Sequence, residues 1–339
     1  MPFFVAIALA LVLTWAARWL GLTTGLVDRP PATAPEGERP PGADELKIHT
    51  APIPVLGGLG VIAAVLGALL VAGSDLPLLA VAGVVLATAI GLVDDARPQP
   101  ASVRMIALAV AGVPIAVGLP LDPLGLPARV GVVVLLLLMA NAVNLIDGQD
   151  GLAGGLGAIA SVGLAAVIAA NGADPVLALV VAGALVGFLA WNLPPARVFL
   201  GNGGAYGLGA LLTVLAAQAT LSHGWHGLLA AALCLGVFAF ELTFTVVRRL
   251  LSSQRLATGD RRHSYDLLGR SRGNRDRSTL ALWTLGAVSA GAGYASDQVS
   301  LAAAGTMLGV AFVIGTAAGG RLWRDAVAVA DPQQQTERS

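Results

Sequence analysis

The chain has 339 residues, of which 56% are hydrophobic and only 12% charged, and its formal net charge is zero. A soluble domain carries roughly a quarter charged residues, so this composition argues against a soluble enzyme and for long apolar segments in a bilayer. The balanced charge, with no basic tail, argues against nucleic acid as a partner. The single cysteine, Cys234 inside an apolar run, excludes a disulfide framework and makes a thiol metal site a poor reading.

The N-terminus reads MPFFVAIALALVLTWAARWL, with its first positive charge, Arg18, after the apolar run. It lacks the basic start of a secretory signal and is expected to be a retained first span with its N-terminus outside. Eleven apolar runs are long enough to cross a bilayer: 3–20, 54–73, 77–93, 103–120, 130–146, 152–170, 174–191, 204–221, 226–250, 279–296 and 299–319. The fifth runs directly into a polar motif. With the N-terminus outside, the inside segments are 18–53, 94–104, 147–151, 192–203, 248–278 and the tail from 320. Of 20 Lys and Arg residues, 19 fall in these segments and only Arg129 falls opposite. That is the asymmetry of the positive-inside rule. The expected fold is an all-α polytopic membrane protein of about eleven helices with a cytoplasmic C-terminus.

Five polar motifs lie on the inside face. The first runs Lys47-Ile48-His49-Thr50 to Gly57-Gly58 and holds the only lysine beside nineteen arginines. A lysine there supplies a compact ammonium rather than a planar fork. The second is Gly91-Leu92-Val93-Asp94-Asp95, followed by Arg97 and Arg104. Adjacent carboxylates raise one another's pKa unless a cation sits between them, so a divalent metal or a cationic group would relieve the pair. Solvated acids at a helix end are the plainer reading of this motif alone. The third runs from Asn141 to Gly155 and spaces Asn144, Asp147 and Asp150 by three. If helical, these hard oxygen donors share one face and suit Mg2+, a sugar or a base.

The fourth motif, Trp191 to Gly207, contains Gly201-Asn202-Gly203-Gly204 at the start of a span. Such a loop can bring backbone N–H groups and a helix N-terminus to phosphate, although glycines are common in membrane helices. The fifth follows Glu241 and carries ten basic residues: nine arginines from Arg248 to Arg277, and His263. Membrane anchoring accounts for most of its arginines. Its Asp260-Arg261-Arg262-His263-Ser264-Tyr265-Asp266 cluster is denser than anchoring needs and suits a pyrophosphate. Glu241 lies about two turns inside its span, so it is expected to face protein or a water cavity. Acid pairs, amide oxygens, a glycine loop and Lys/Arg/His on one face form a parts list for phosphoryl transfer, which needs mainly charge neutralisation and alignment.

The order and spacing of these motifs over about residues 20–270 resemble the polyprenyl-phosphate N-acetylhexosamine-1-phosphate transferases. The eleven runs and the single-His fifth motif resemble the GlcNAc-1-phosphate branch more than the phospho-N-acetylmuramoyl-pentapeptide branch. The resemblance implies transfer of a sugar-1-phosphate from a UDP-N-acetylhexosamine to polyprenyl phosphate, releasing UMP. The cofactor would be Mg2+, with Mn2+ as a substitute. It also implies a bacterial plasma-membrane protein with a cytoplasmic active site, and a homodimer as the assembly. Residues 1–320 would form one transmembrane catalytic domain with loops 21–53, 94–103, 147–151, 192–203 and 251–278, ahead of a tail at 321–339. Carried over by motif, Asp94, Asp95 and His263 would be catalytic. Lys47, Arg104, Asn144, Asp147, Asp150, Arg261 and Arg262 would bind substrate, and Asp95, Asn144 and Asn202 would hold metal. One departure stands out: the usual Gly-Asp-x-Gly is Gly201-Asn202-Gly203-Gly204 here, which removes a carboxylate from the metal site. Three other readings are a pentapeptide-transferase-like activity, a catalytically impaired relative and a lipid or sugar transporter.

Overall fold

The computed structural model describes residues 1–30, 51–74, 76–252, 260, 262–272 and 275–330. Lys47 and Arg261 lie outside the described residues. The helices are α1 (Pro2–Thr24), α2 (Gly57–Ala72), α3 (Leu78–Ala96), α4 (Ala101–Gly118), α5 (Gly125–Ile146), α6 (Leu152–Ala170), α7 (Val176–Asn192), α8 (Gly201–Cys234), α9 (Gly236–Leu251), α10 (Ser264–Arg272), α11 (Arg275–Asp297) and α12 (Leu301–Ala330). Proline immediately precedes α3, α4 and α7 as Pro77, Pro100 and Pro175. Its fixed φ suits a helix start, and the N–H it lacks would be orphaned there anyway.

Among the described residues, seven helical segments are long and apolar enough to cross a membrane: α1, α3, α4, α5 with its leading 3-10 turn, α6, α8 and α12 as far as Leu322. α2 and α7 are shorter apolar helices. The protein is therefore an all-α polytopic membrane protein. The break expected between the sequence runs 204–221 and 226–250 falls at His223 and Gly224, where the backbone leaves helical geometry, and the second run is divided once more. α8 carries a kink at His223 and Gly224 and continues to Cys234, and the second break falls at Leu235. That break separates the wholly apolar end of α8 from α9, whose buried face carries Glu241, Thr245, Arg248 and Arg249.

α8 is the centre of the bundle and packs against α2, α3, α5, α6, α11 and α12, while α1 lies across α2 and α7. Close approach is possible because small residues meet. A Cβ added at Gly58 of α2 would lie 1.9 Å from the Cα of Gly204 in α8. At Gly91 of α3, an added Cβ would lie 2.2 Å from the carbonyl oxygen of Asn202. Interfaces between membrane helices rest on this kind of contact.

The structure adds one short sheet to the all-α expectation. β1 (Val27–Asp28) pairs antiparallel with β2 (Ile53–Pro54). The chain after β2 is stitched in turn to the segment before α8: Phe199 N–H donates to Pro54 O, Gly57 N–H to Phe199 O and Gly58 N–H to Leu200 O. The first and fourth motifs are thereby fixed side by side. Arg129, the basic residue outside the inside segments, donates to Asp122 at 2.7 Å and to the carbonyl of Ala116.

A Gly58→Val substitution is expected to destabilise the protein by about 1–3 kcal/mol, since the neighbour it meets is backbone and cannot yield. The check is a thermal unfolding curve of the detergent-purified protein. An unchanged Tm would contradict the α2–α8 approach.

Candidate active site

The start of α8 is partly buried at Gly201 and Asn202 and buried at Gly203, and its first N–H groups need partners from outside the helix. Two carboxylates from other helices provide them. Asp95, at the end of α3, accepts from Asn202 N–H and Gly203 N–H, each at 3.0 Å. Asp147, just past α5, accepts from Gly201 N–H at 3.2 Å. The positive end of the helix dipole favours both anions. The glycine-rich segment thus offers its leading N–H groups to the protein's own acids, and not to a phosphate as its composition had suggested.

Asp94 points the other way and is buried, at 3% exposure. One oxygen accepts from Gln99 N–H at 2.7 Å. The other accepts from Arg104 at 3.1 Å, Asn202 Nδ2 at 3.1 Å and Tyr206 Oη at 3.2 Å. Four donors converging on one carboxylate hold it in a fixed place. Tyr206, one turn along α8 from Asn202, was not among the residues singled out from sequence. Its spacing of four from Asn202 was the available signal.

Asn202 sits between two partners. Its Oδ1 accepts from Asn144 Nδ2 in a short contact, and its Nδ2 donates to Asp94. Asp150 accepts from Ala196 N–H at 2.9 Å, tying the third motif to the loop before α8. Buried Asn192 completes this tie by accepting from Gly151 N–H and donating to Val198 O. Burial pushes the Asp147 carboxyl well above its ordinary pKa; the Gly201 N–H opposes this, and Asp95 and Asp150 add to the rise. A cation placed among these acids would reverse that penalty.

Asp95, Asp147, Asn144 and Asn202 make a group of hard oxygen donors. Among the described residues no three His, Cys, Asp or Glu side chains form a ready metal cage. The donor set fits a Mg2+-like cation that uses one or two carboxylates and completes its shell with water and phosphate oxygens.

The fifth motif forms the other wall. His263 Nδ1 lies 2.9 Å from Glu241 Oε1. Its ring stacks on Tyr265 with centroids 5.2 Å apart, and Tyr265 Oη donates to the carbonyl of Leu145 at 3.0 Å. The histidine is thereby braced on a side chain anchored between Asn144 and Asp147. Arg248 is not a membrane-surface anchor. It is 2% exposed and donates through Nη2 to both oxygens of Asp260, at 2.7 and 2.8 Å. Arg249 Nε adds a 3.2 Å bond to the same carboxylate, and Arg262 N–H donates to it at 3.0 Å. Burial of Asp260 is outweighed by Arg248, whose hydrogen bond and charge hold the carboxyl below its ordinary pKa. The Arg262 side chain itself is exposed.

Of the residues expected from sequence, the structure gathers Asp94, Asp95, Arg104, Asn144, Asp147 and Asn202 into one hydrogen-bonded group with Asp150 beside it. His263 is joined to that group through Tyr265.

Residues 77–220 match the profile of the family described as glycosyl transferase family 4. That stretch includes every member of the oxygen cluster and leaves out His263. The chain is 28% identical over 305 residues to a probable undecaprenyl-phosphate N-acetylglucosaminyl 1-phosphate transferase of Bacillus subtilis, covering 84% of this chain and 81% of the relative. It is 28% identical over 322 residues to the decaprenyl-phosphate N-acetylglucosaminephosphotransferase of Mycobacterium tuberculosis, covering 80% of each. A shorter match, 36% identical over 135 residues, covers 40% of this chain and 41% of an undecaprenyl-phosphate alpha-N-acetylglucosaminyl 1-phosphate transferase of Thermotoga maritima.

Replacing Asp260 by Asn would leave Arg248 buried without its counter-charge. A loss of about 3 kcal/mol is expected, read as a fall in Tm. In the unsubstituted protein the pair's contribution is full above the ordinary carboxylate value of 3.8 and disappears as pH falls through the lower folded value.

Proposed function

We propose that this chain, whose residues 77–220 match glycosyl transferase family 4, transfers a sugar-1-phosphate from a UDP-N-acetylhexosamine to a polyprenyl phosphate, releasing UMP. GlcNAc-1-phosphate is the favoured group, since the relatives matched over most of their length carry that sugar in their names. The carrier is undecaprenyl or decaprenyl phosphate, and the product enters cell-envelope glycan synthesis. The observation that carries this reading is the convergence of Asp94, Asp95, Asn144, Asp147 and Asn202 on the first turns of α8.

The acceptor and the donor are both phosphates, so mutual repulsion is the main obstacle to their reaction. A bound Mg2+ would supply neutralising charge between them. Asp95, Asn144 and Asn202 would hold it, with Asp147 contributing charge alongside. Asp94, locked by four donors, fixes Arg104, Asn202 and Tyr206 in place and is best assigned to positioning. Asp150 and Asn192 hold the loop before α8 against the third motif, where the nucleoside-sugar would lie. Lys47, Arg261 and Arg262 would add positive charge for the diphosphate, with His263 at the edge of the oxygen cluster.

The topology proposed with this function has eleven crossings, the N-terminus outside and the five motifs on the cytoplasmic side of a bacterial plasma membrane. A nucleotide-sugar would then enter from the cytoplasm while the lipid phosphate arrives from the bilayer. A homodimer is the proposed assembly.

Purified protein given UDP-GlcNAc, polyprenyl phosphate and Mg2+ is expected to release UMP, and an Asp95→Asn variant to lose on the order of 100-fold or more. Absence of UMP across a panel of UDP-sugars, under conditions where a relative works, would overturn the assignment. A second expectation concerns the missing carboxylate. Asn202→Asp would set an anion against Asp94 where an amide donor now lies. Its Tm without metal should fall, and its Mg2+-dependent gain in Tm should exceed that of the natural chain. Equal metal responses in the two proteins would place the cation away from position 202.

A further inference from the structure

We infer that Glu241 is a positioning residue for the transfer reaction, fixing the tautomer and direction of His263. This inference rests on the functional reading above and concerns residues outside the stretch matched by the family profile. Glu241 is 2% exposed on α9, a place where a carboxylate is costly unless fully partnered. Its partners are complete. Oε1 accepts from Ser264 N–H at 3.3 Å and from the Thr245 hydroxyl at 3.2 Å, and it lies 2.9 Å from His263 Nδ1. Oε2 takes the Ser264 hydroxyl in a short contact.

The tautomer follows from this geometry. A carboxylate oxygen only accepts, so Nδ1 at 2.9 Å must carry the hydrogen. Thr245 has one hydroxyl hydrogen and gives it to Glu241, so at 3.3 Å from Nδ1 it too can only accept. Both neighbours therefore require Nδ1–H. The second ring nitrogen, Nε2, has no hydrogen-bond partner among the described residues. The bond made by one imidazole nitrogen decides what the other can do. Here it leaves Nε2, unpartnered among the described residues, as the nitrogen turned toward a substrate.

Direction is set by two further contacts. The imidazole lies flat on Tyr265, at 4° between ring planes, and Tyr265 is held on the Leu145 carbonyl. The ring is thus clamped at Nδ1 by α9 and on one face by a residue tied to α5. Along α9, Glu241, Thr245 and Arg248 recur every three or four residues and share a buried face. Glu241 grips His263 and Ser264, and Arg248 grips Asp260. A phosphate-bearing substrate at the oxygen cluster would meet an imidazole whose free nitrogen is already oriented. That lowers the ordering cost at the moment of reaction.

The test uses the full chain in nanodiscs with 15N-labelled histidine. There are four histidines, and His263 is assigned by difference from His263→Gln. At alkaline pH, where the rings are neutral, His263 is expected to show a protonated Nδ1 and a bare Nε2. Glu241→Ala should release the ring to the opposite tautomer or a mixture. Its kcat for UMP release should fall on the order of 10- to 100-fold, with KM for both substrates changed by no more than about threefold, the mark of an effect on the chemical step rather than on binding. Glu241→Gln, which keeps an acceptor oxygen at the same reach, should retain more activity than Glu241→Ala. An Nε2-protonated His263 in the unsubstituted protein overturns the inference even if Glu241→Ala fails to fold. A folded Glu241→Ala with natural tautomer and kcat overturns it as well. A protein that shows the Nδ1–H tautomer yet releases no UMP from any UDP-sugar would instead remove the functional reading.

Discussion

The N–H groups that open α8 are taken by the protein's own carboxylates, and the rest of the polar cluster is arranged around that fact. A helix brings several unpaired N–H groups to its first turn, and at partly buried Gly201 and Asn202 and buried Gly203 they are met by side chains. Asp95 and Asp147 fill the need from two other helices. In doing so they join α3, α5 and α8 at one point and bring their negative charge together. The stabilising device and the chemical feature are the same carboxylates. Asp94 follows from the same arrangement, because the residue beside Asp95 on α3 must point elsewhere, and there it collects Arg104, Tyr206 and the Asn202 amide.

Asn202 acquires a clear role in this setting. An Asp at that position would face Asp94 and the Asp95–Asp147 pair with no donor of its own. The amide presents an acceptor to Asn144 and a donor to Asp94, so one neutral group satisfies both. The cluster therefore holds together through hydrogen bonds and the Arg104–Asp94 ion pair, with one negative charge fewer to be offset than the pattern it resembles.

Much of the scaffold was legible in the sequence because apolar length and proline placement are local signals. The helices α1 to α7 fall close to their expected runs, and the polar motifs meet at one end. Pairings between distant segments were not legible. Whether Asp94 or Asp95 faces the helix start depends on α8, more than a hundred residues away, and adjacent identical residues give no hint of which does what. Arg248 and Arg249 read as membrane anchors because an arginine at the end of a span usually is one; Asp260, brought back by the chain, is the carboxylate they share. Glu241 was visible as a buried acid, and Thr245 lies one helical turn from it, but its partners His263 and Ser264 had no spacing that would announce them. The break at Leu235 was missed because the apolar run continues through it without a Gly-Pro or polar interruption.

The contact of Gly58 with Gly204 bears on how the molecule can move. Backbone against backbone leaves no side chain to rotate and no gap to close, so α2 and α8 cannot slide past one another, and Gly91 holds α3 to the same standard. On the opposite flank, α12 is exposed along most of its length and makes few inward contacts. The bundle thus has a tightly packed side, which keeps the acids in register, and a loosely packed flank at α12. None of the oxygen cluster lies on α12, so a shift of that helix would leave the spacing of the acids unchanged.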